Sequence, residues 1–249
     1  ALQGMLFRGL LAVFFLSHPC RLVVGPGLRR WDAGVSGGNL EASVPLDGLS
    51  DQVLVGATEL WIREVVVGLD LCPWAAGTLS HYRFSIVRAG DSGVCSVTDA
   101  VDAVVAAAQE LLQEEEGLHA TWLVLLPTMD GVQGLERFRA LTQAVQLHFQ
   151  GHQLPVEVLA FHRHRAVPSD RAPVPTLQIL RQHDLEQVRR QYAQARGRSA
   201  GEVFPEMLAA NRRRLEELGG DEFLGREFDK MLADCGGGGQ ETRPPPPRP

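Results

Sequence analysis

Cys72 is the side chain best placed by type to do chemistry. It sits in the string Gly68-Leu69-Asp70-Leu71-Cys72-Pro73-Trp74-Ala75. A proline directly after it restricts the backbone and fixes the direction of the thiol. If Pro73 opens a short helix running through Gly77, Cys72 is the N-cap. The helix N-terminus then stabilises a thiolate and lowers its pKa. If Cys72 instead closes the helix before it, the dipole works the other way and the thiol stays protonated. No second cysteine lies nearby in sequence, which disfavours a disulfide-exchange cycle. Peroxide or thiol-transfer chemistry is one use for such a thiol; packing as a small hydrophobe is the other.

His162 and His164 follow an apolar run, so strand alternation puts both on one face. Such a pair can chelate a transition metal, but Arg163 and Arg165 interleave with it and oppose a cation. No metal and no cofactor is assigned. His162 alone suits a proton-transfer role. Arg171 and Arg181 bracket a stiff Pro173-Val174-Pro175-Thr176 string. A guanidinium held there suits a carboxylate or phosphate, with Thr176 beside it, or else it pairs with an acid such as Glu64 or Asp184. Asn211, late in the chain, can orient a ligand or hold a loop. The candidate catalytic residues are thus Cys72 and His162. The candidate ligand-binding residues are Arg171, Thr176, Arg181 and Asn211.

These residues need elements to hold them. Leu54, Ala57, Trp61 and Val65 recur at helical spacing, predicting a helix from Ser50 or Asp51 to about Val67, stopped by Gly68. A strand follows at Tyr82–Arg88. A second helix capped by Thr98 or Asp99 runs to about Glu115. Ala120–Leu126 is a nearly continuous apolar run, as in a strand buried on both faces. A third helix covers Leu135–Phe149, and another apolar strand covers Val156–Phe161. Thr176–Leu180 reads as a short fourth strand or a helical turn. Asp184–Ala195 and Phe204–Leu218 read as helices. The strand–helix–strand alternation predicts an α/β or α+β fold with a three- or four-stranded, largely parallel sheet. Sites in such sheets lie beyond the carboxyl ends of the strands, here Ala89-Gly90-Asp91, Pro127-Thr128 and His162-Arg163-His164.

Composition narrows the class. The chain has 249 residues, 45% of them hydrophobic, and a net charge of −6. An acidic balance argues against bulk nucleic-acid binding. Lys230 is the only lysine among 24 basic residues. Cys20, Cys72, Cys95 and Cys235 form no C-x-x-C pair, which argues against a zinc ribbon or a dithiol redox motif. No glycine-rich nucleotide-binding fingerprint occurs. Residues 1–48 read as a targeting leader or flexible arm. An apolar stretch from Gly9 to Leu16 follows Arg8 and is too short to span a bilayer, for which about 20 residues are needed. A basic, acid-poor stretch from Arg21 to Gly38 comes next. That is the signal-plus-transit arrangement of a plastid protein, with the mitochondrion as runner-up. Residues 49–232 read as one globular domain. Residues 233–249, with their glycine and proline runs, read as a disordered tail.

Four pieces together resemble the bacterial and plastid family called domain of unknown function fourteen-fifteen. They are Gly68 to Ala75, Phe161-His162, the string Arg171 to Arg181, and Asn211 to Gly219, in that order. The resemblance spans about Asp51 to Leu232 and implies a fold and candidate positions, but no reaction. Three positions depart from the family pattern: Asp70 stands for an asparagine, Arg163 for a proline and Gln178 for a histidine. Two functions follow. One is a non-catalytic accessory subunit or peripheral binding protein of a plastid assembly, with partners in a larger membrane complex and no transmembrane span of its own. The other is a small enzyme or binding protein for an anionic small molecule, with Cys72, His162, Arg171 and Arg181 converging on one pocket.

Overall fold

A computed structural model of the chain describes residues 45–88, 96–114 and 120–237. Residues 1–44 of the leader, Cys20, Cys95, Ala89-Gly90-Asp91 and the proline run lie outside the described residues; of the leader's last positions, Leu46 is buried in the core. Helices begin where side chains supply the acceptors that a first turn lacks. Ser50 Oγ accepts from Val53 N–H at the start of α1 (Asp51–Leu60), and Ser96 Oγ accepts from Asp99 N–H at the start of α3 (Val97–Gln113). Ser199 and Glu202 close a reciprocal capping box on α6 (Ala200–Glu217). The remaining helices are α2 (Ala75–Thr78), α4 (Gly131–Gly151), α5 (Gln182–Ala195) and α7 (Gly220–Gly236). Helix α7 is absent from the pattern reading above, although Leu224, Phe228 and Met231 recur at helical spacing and are buried.

Helix α1 does not run on unchanged to Val67. Residues Trp61–Val67 are π-helical, and Gly68 N–H and Leu71 N–H donate to Arg63 O and Val66 O, each five residues back. Three β-branched valines in succession (Val65 to Val67) have the weakest claim on α geometry. Gly68 is not the left-handed terminator; its φ is −61°. Asp70 takes that conformation instead, at φ 50°. Gly68 is required by space, because a Cβ there would lie 2.3 Å from Glu64 O.

The sheet holds β1 (Tyr82–Ile86), β2 (Thr121–Leu125), β3 (Val156–Phe161) and β4 (Thr176–Arg181) in the order β1-β2-β4-β3. It is mixed, not largely parallel. Only β1 and β2 pair parallel, while β4 is antiparallel to both β2 and β3. The reason lies in the connection. Residues 162–175 join β3 to β4 without a crossover helix, so the chain turns back and β4 inserts between β2 and β3. The α/β expectation stands, and Thr176 to Arg181 is a strand.

The two faces of the sheet are covered differently. On the first, Val104, Ala108 and Leu111 of α3 and Phe138, Leu141 and Val145 of α4 seal Val124, Val158, Leu177 and Ile179. On the second, Trp61, Ile62 and Val65 pack with Leu215 of α6 and Leu224, Phe228 and Met231 of α7 over Leu123. Among the described residues, no helix is long and apolar enough to cross a membrane.

At the start of α4 the chain doubles tightly on itself. A Cβ on Gly134 would lie 2.1 Å from Met129 O and 2.3 Å from its carbonyl carbon, both backbone atoms. Alanine normally gains about 1 kcal/mol over glycine in a helix. Here Gly134→Ala is expected to destabilise the protein by about 1–3 kcal/mol through overpacking. Urea unfolding measures it, and an unchanged or raised midpoint would contradict the close approach.

Candidate functional site

The polar residues singled out by sequence are placed by backbone partners. His162 is completely buried. Its Nδ1 accepts from His164 N–H at 3.1 Å, so its Nε2 carries the hydrogen and donates to Met129 O at 2.8 Å. Burial pushes the imidazole below the ordinary histidine range, and it stays neutral. Both ring nitrogens are engaged, and the ring rests on Phe138. His162 thereby ties the loop after β3 to the turn before α4.

Arg181 lies 7% exposed on β4 and donates to Leu111 O and Glu114 O at 2.6 and 2.9 Å. These are carbonyls at the end of α3, which a cation there satisfies. Arg171 Nε donates to Arg165 O, and its guanidinium pairs with Asp221 of α7 at 2.7 Å. Thr176 Oγ1 donates to Val174 O in the core. Asn211 Nδ2 donates to Leu71 O at 2.7 Å. Arg214, one turn later on the same helix face, donates to Leu69 O and Asp70 O. Two side chains of α6 thus hold three consecutive carbonyls at the end of the π-helix, next to Cys72.

The departures from the family pattern fall into place. Asparagine and aspartate are the residues that most readily adopt positive φ after glycine, so Asp70 keeps the turn. Arg163 pairs with Asp229 and lies 5.9 Å from the ring centre of Phe228, both on α7. Gln178 projects from the sheet's second face.

Cys72 and His162 belong to different faces. The contacts of His162 are with Met129 and Phe138 on the first face, whereas Cys72 lies against Tyr82 and Trp74 on the second. N–H groups of Trp74 and Ala75 point at the Cys72 sulfur, but burial outweighs them and pushes the thiol up, with Asp70 adding to the rise. Trp74 is the N-cap of the short α2, so Cys72 precedes that helix by more than the proline rule implies. Among the described residues, no group of three or more His, Cys, Asp or Glu is arranged to hold a metal.

Another set of residues comes together on that second face. The register aligns Phe84, Leu123, Gln178 and Leu159 across the four strands, with Tyr82–Thr121 and Glu157–Leu180 one step along. Strand β4 is internal. Its first-face residues Leu177 and Ile179 are fully buried, yet Gln178 and Leu180 on the second face are only half-buried. Solvent therefore reaches β4 on this face, while Thr121 and Leu123 of the neighbouring β2 stay buried. Several half-buried groups lie near this end of the second face. Tyr82 neighbours Cys72, and Cys72 neighbours Trp74. Trp74 stacks on Phe204 at 5.9 Å and meets Tyr192 edge-on at 5.2 Å. Arg189 of α5 lies 5.6 Å from the Phe204 ring centre, and its charge is felt by Glu157 of β3. The members are all half-buried. Burial pushes the Glu157 carboxyl up and the Arg189 guanidinium down, and each charge offsets part of the other's shift.

This ring sits at the amino ends of β1, β2 and β3, opposite the ends that a parallel sheet singles out. Pattern reading passed over Glu157, Arg189, Tyr192 and Phe204. The usable signal was two aromatics, Tyr192 and Phe204, in otherwise polar helices.

Removing the α6 clamp tests its role. Asn211→Ala leaves the Leu71 carbonyl without its donor and is expected to cost about 1–3 kcal/mol in urea unfolding. It is also expected to speed labelling of Cys72 in the native protein. Wild-type stability and labelling would show that the clamp holds nothing.

No curated protein and no solved structure matches this chain. A family model described as a protein of unknown function, DUF1415, matches residues 54–223. That match takes in the π-helix, the whole sheet, Cys72, the aromatic ring and the α6 clamp, so the chain belongs to this family of unknown function.

Proposed function

We propose that this chain is a non-catalytic binding protein, an accessory or peripheral subunit of a plastid assembly, and that the half-open ring on its second sheet face is where it holds a small molecule. One observation carries the binding reading. Gln178 and Leu180 stand on an internal strand, where side chains are ordinarily sealed, and are left half-buried. Apolar surface left uncovered beside a few polar groups is where a small molecule gains most from binding.

The non-catalytic reading rests on how the reactive groups are engaged. A general base needs a free lone pair, and His162 has both nitrogens bonded. A thiol nucleophile needs a lowered pKa, and Cys72 is raised. Arg171 and Arg181 hold Asp221 and the end of α3, which leaves the anionic-ligand alternative without the cations it called on. The plastid reading rests on the basic, acid-poor composition of residues 21–38 behind a short apolar stretch.

Thiol labelling against pH separates binder from thiol enzyme. Cys72 is expected to label more slowly than an unfolded-state cysteine, with an apparent pKa above the free value of about 8.5. Peptide mass spectrometry assigns the signal, with Cys72→Ala as the blank. An apparent pKa well below the free value would overturn the non-catalytic reading. For the assembly, the protein in detergent-solubilised plastid membranes is expected to migrate on a native gel with a complex much larger than 27.2 kDa. Migration as a monomer, or absence from plastids, would sink that part.

A further inference from the structure

Helix α4 ends in the string His148-Phe149-Gln150-Gly151-His152, which pattern reading passed over. Two histidines four residues apart share one face of a helix, the spacing at which two imidazoles can hold one metal ion between them. Here the rings meet: their centres lie 4.4 Å apart at an interplanar angle of 43°. Two imidazoles bound to one ion at about 2.1 Å, with an angle of about 90–110° between them, have ring centres about 4.6–5.3 Å apart. The observed separation is just short of that range, so a small side-chain rotation admits an ion. The backbone beneath the pair is firm. His152 N–H donates to His148 O at 3.0 Å, which closes the turn between them, and Phe149 within that turn is buried in the core. His148 is half-buried and His152 is exposed, so water and ions reach both rings.

Three further features favour a cation at this place. Among the described residues no hydrogen bond or ion pair engages either ring, so their lone pairs are available, whereas His162 has both nitrogens bonded. No arginine or lysine interleaves with the pair, as Arg163 and Arg165 do with His162 and His164. The pair also stands at the carboxyl end of a 21-residue helix, the negative end of its dipole. Imidazole nitrogen selects zinc, nickel and copper over magnesium and calcium, which take oxygen ligands. Two protein ligands leave the other coordination positions to water. Such a site is open and exchangeable, unlike the closed four-ligand centre that holds a fold together.

We propose that His148 and His152 form an open, exchangeable site for a divalent first-row transition ion at the end of α4. Helix α4 covers the first face of the sheet, so the test of this site leaves the second-face reading untouched. Isothermal titration of the full chain with zinc chloride and nickel chloride, with magnesium chloride for comparison, tests it. Zinc and nickel are each expected to bind saturably, with one ion at this pair, and magnesium is expected not to bind. His148→Gln and His152→Gln are each expected to weaken zinc binding tenfold or more. His152 is exposed, so His152→Gln keeps the test open if the half-buried His148 proves necessary for folding. His183→Gln, at an exposed position of α5, is expected to leave binding unchanged. Absence of saturable zinc and nickel binding would overturn the site. So would zinc binding that a well-folded His152→Gln leaves intact, or magnesium binding as tight as zinc.

Discussion

The end of the first long helix has to be closed by something far away in sequence. A helix leaves its last carbonyls without donors, and here the π-turn leaves those of Leu69, Asp70 and Leu71 beside the sheet. Asn211 and Arg214 of α6 supply the donors across more than 130 positions of chain. Much else follows from this one contact. It fixes α6 against the π-helix and orients the turn that carries Cys72 and Trp74. It also brings Phe204, two turns earlier on α6, up to the Trp74 ring. The side-chain amide and the positive φ of Asp70 are two halves of one arrangement. A left-handed residue presents its neighbours' carbonyls sideways, and α6 receives them.

The sheet divides the protein into a sealed side and a partly open one. The sealed side is built for density: Val104, Ala108, Leu111, Phe138, Leu141 and Val145 are all fully buried. His162 and Arg181 look like chemistry in the sequence and serve instead as ties, His162 holding the Met129 carbonyl and Arg181 those of Leu111 and Glu114. The open side is less dense because α5 leaves the sheet at Arg181 and covers it only loosely, with Ala193 its one fully buried side chain. Half-covered aromatics, the opposite charges of Glu157 and Arg189, and the amide of Gln178 remain on this side.

Much of this could be read in advance, and the failures have physical causes. Ala120–Leu126 reads as a strand buried on both faces, and Leu123, Val124 and Leu125 are indeed buried. Helix α3 reads correctly because its alanines and leucines keep one phase throughout, though its cap is Ser96 rather than Thr98 or Asp99. The sheet's direction fails because sequence order does not encode insertion: nothing local tells β4 to enter between β2 and β3. Helix α7 was missed because its apolar residues are diluted by Asp221, Glu222, Glu227, Asp229 and Asp234. The π-helix was missed because three valines in a row fit an α-helix, a strand or neither.

By itself the sequence determined the local matters. It set the capped start of α1, the apolar stripes, the β-branched strands and the string of residues that carries the family. Each is decided within a few positions by propensity, periodicity and backbone sterics. Only the tertiary structure decided the direction of β4, the face on which each candidate stands, and the partners of His162, Arg171, Arg181 and Asn211. It also assembled the ring from β1, the Cys72 turn, α5, α6 and β3. A hydrogen-bonding side chain in a sequence has a capacity but no partner. Whether that capacity meets a ligand or a neighbouring carbonyl depends on which distant backbone groups folding leaves unsatisfied beside it.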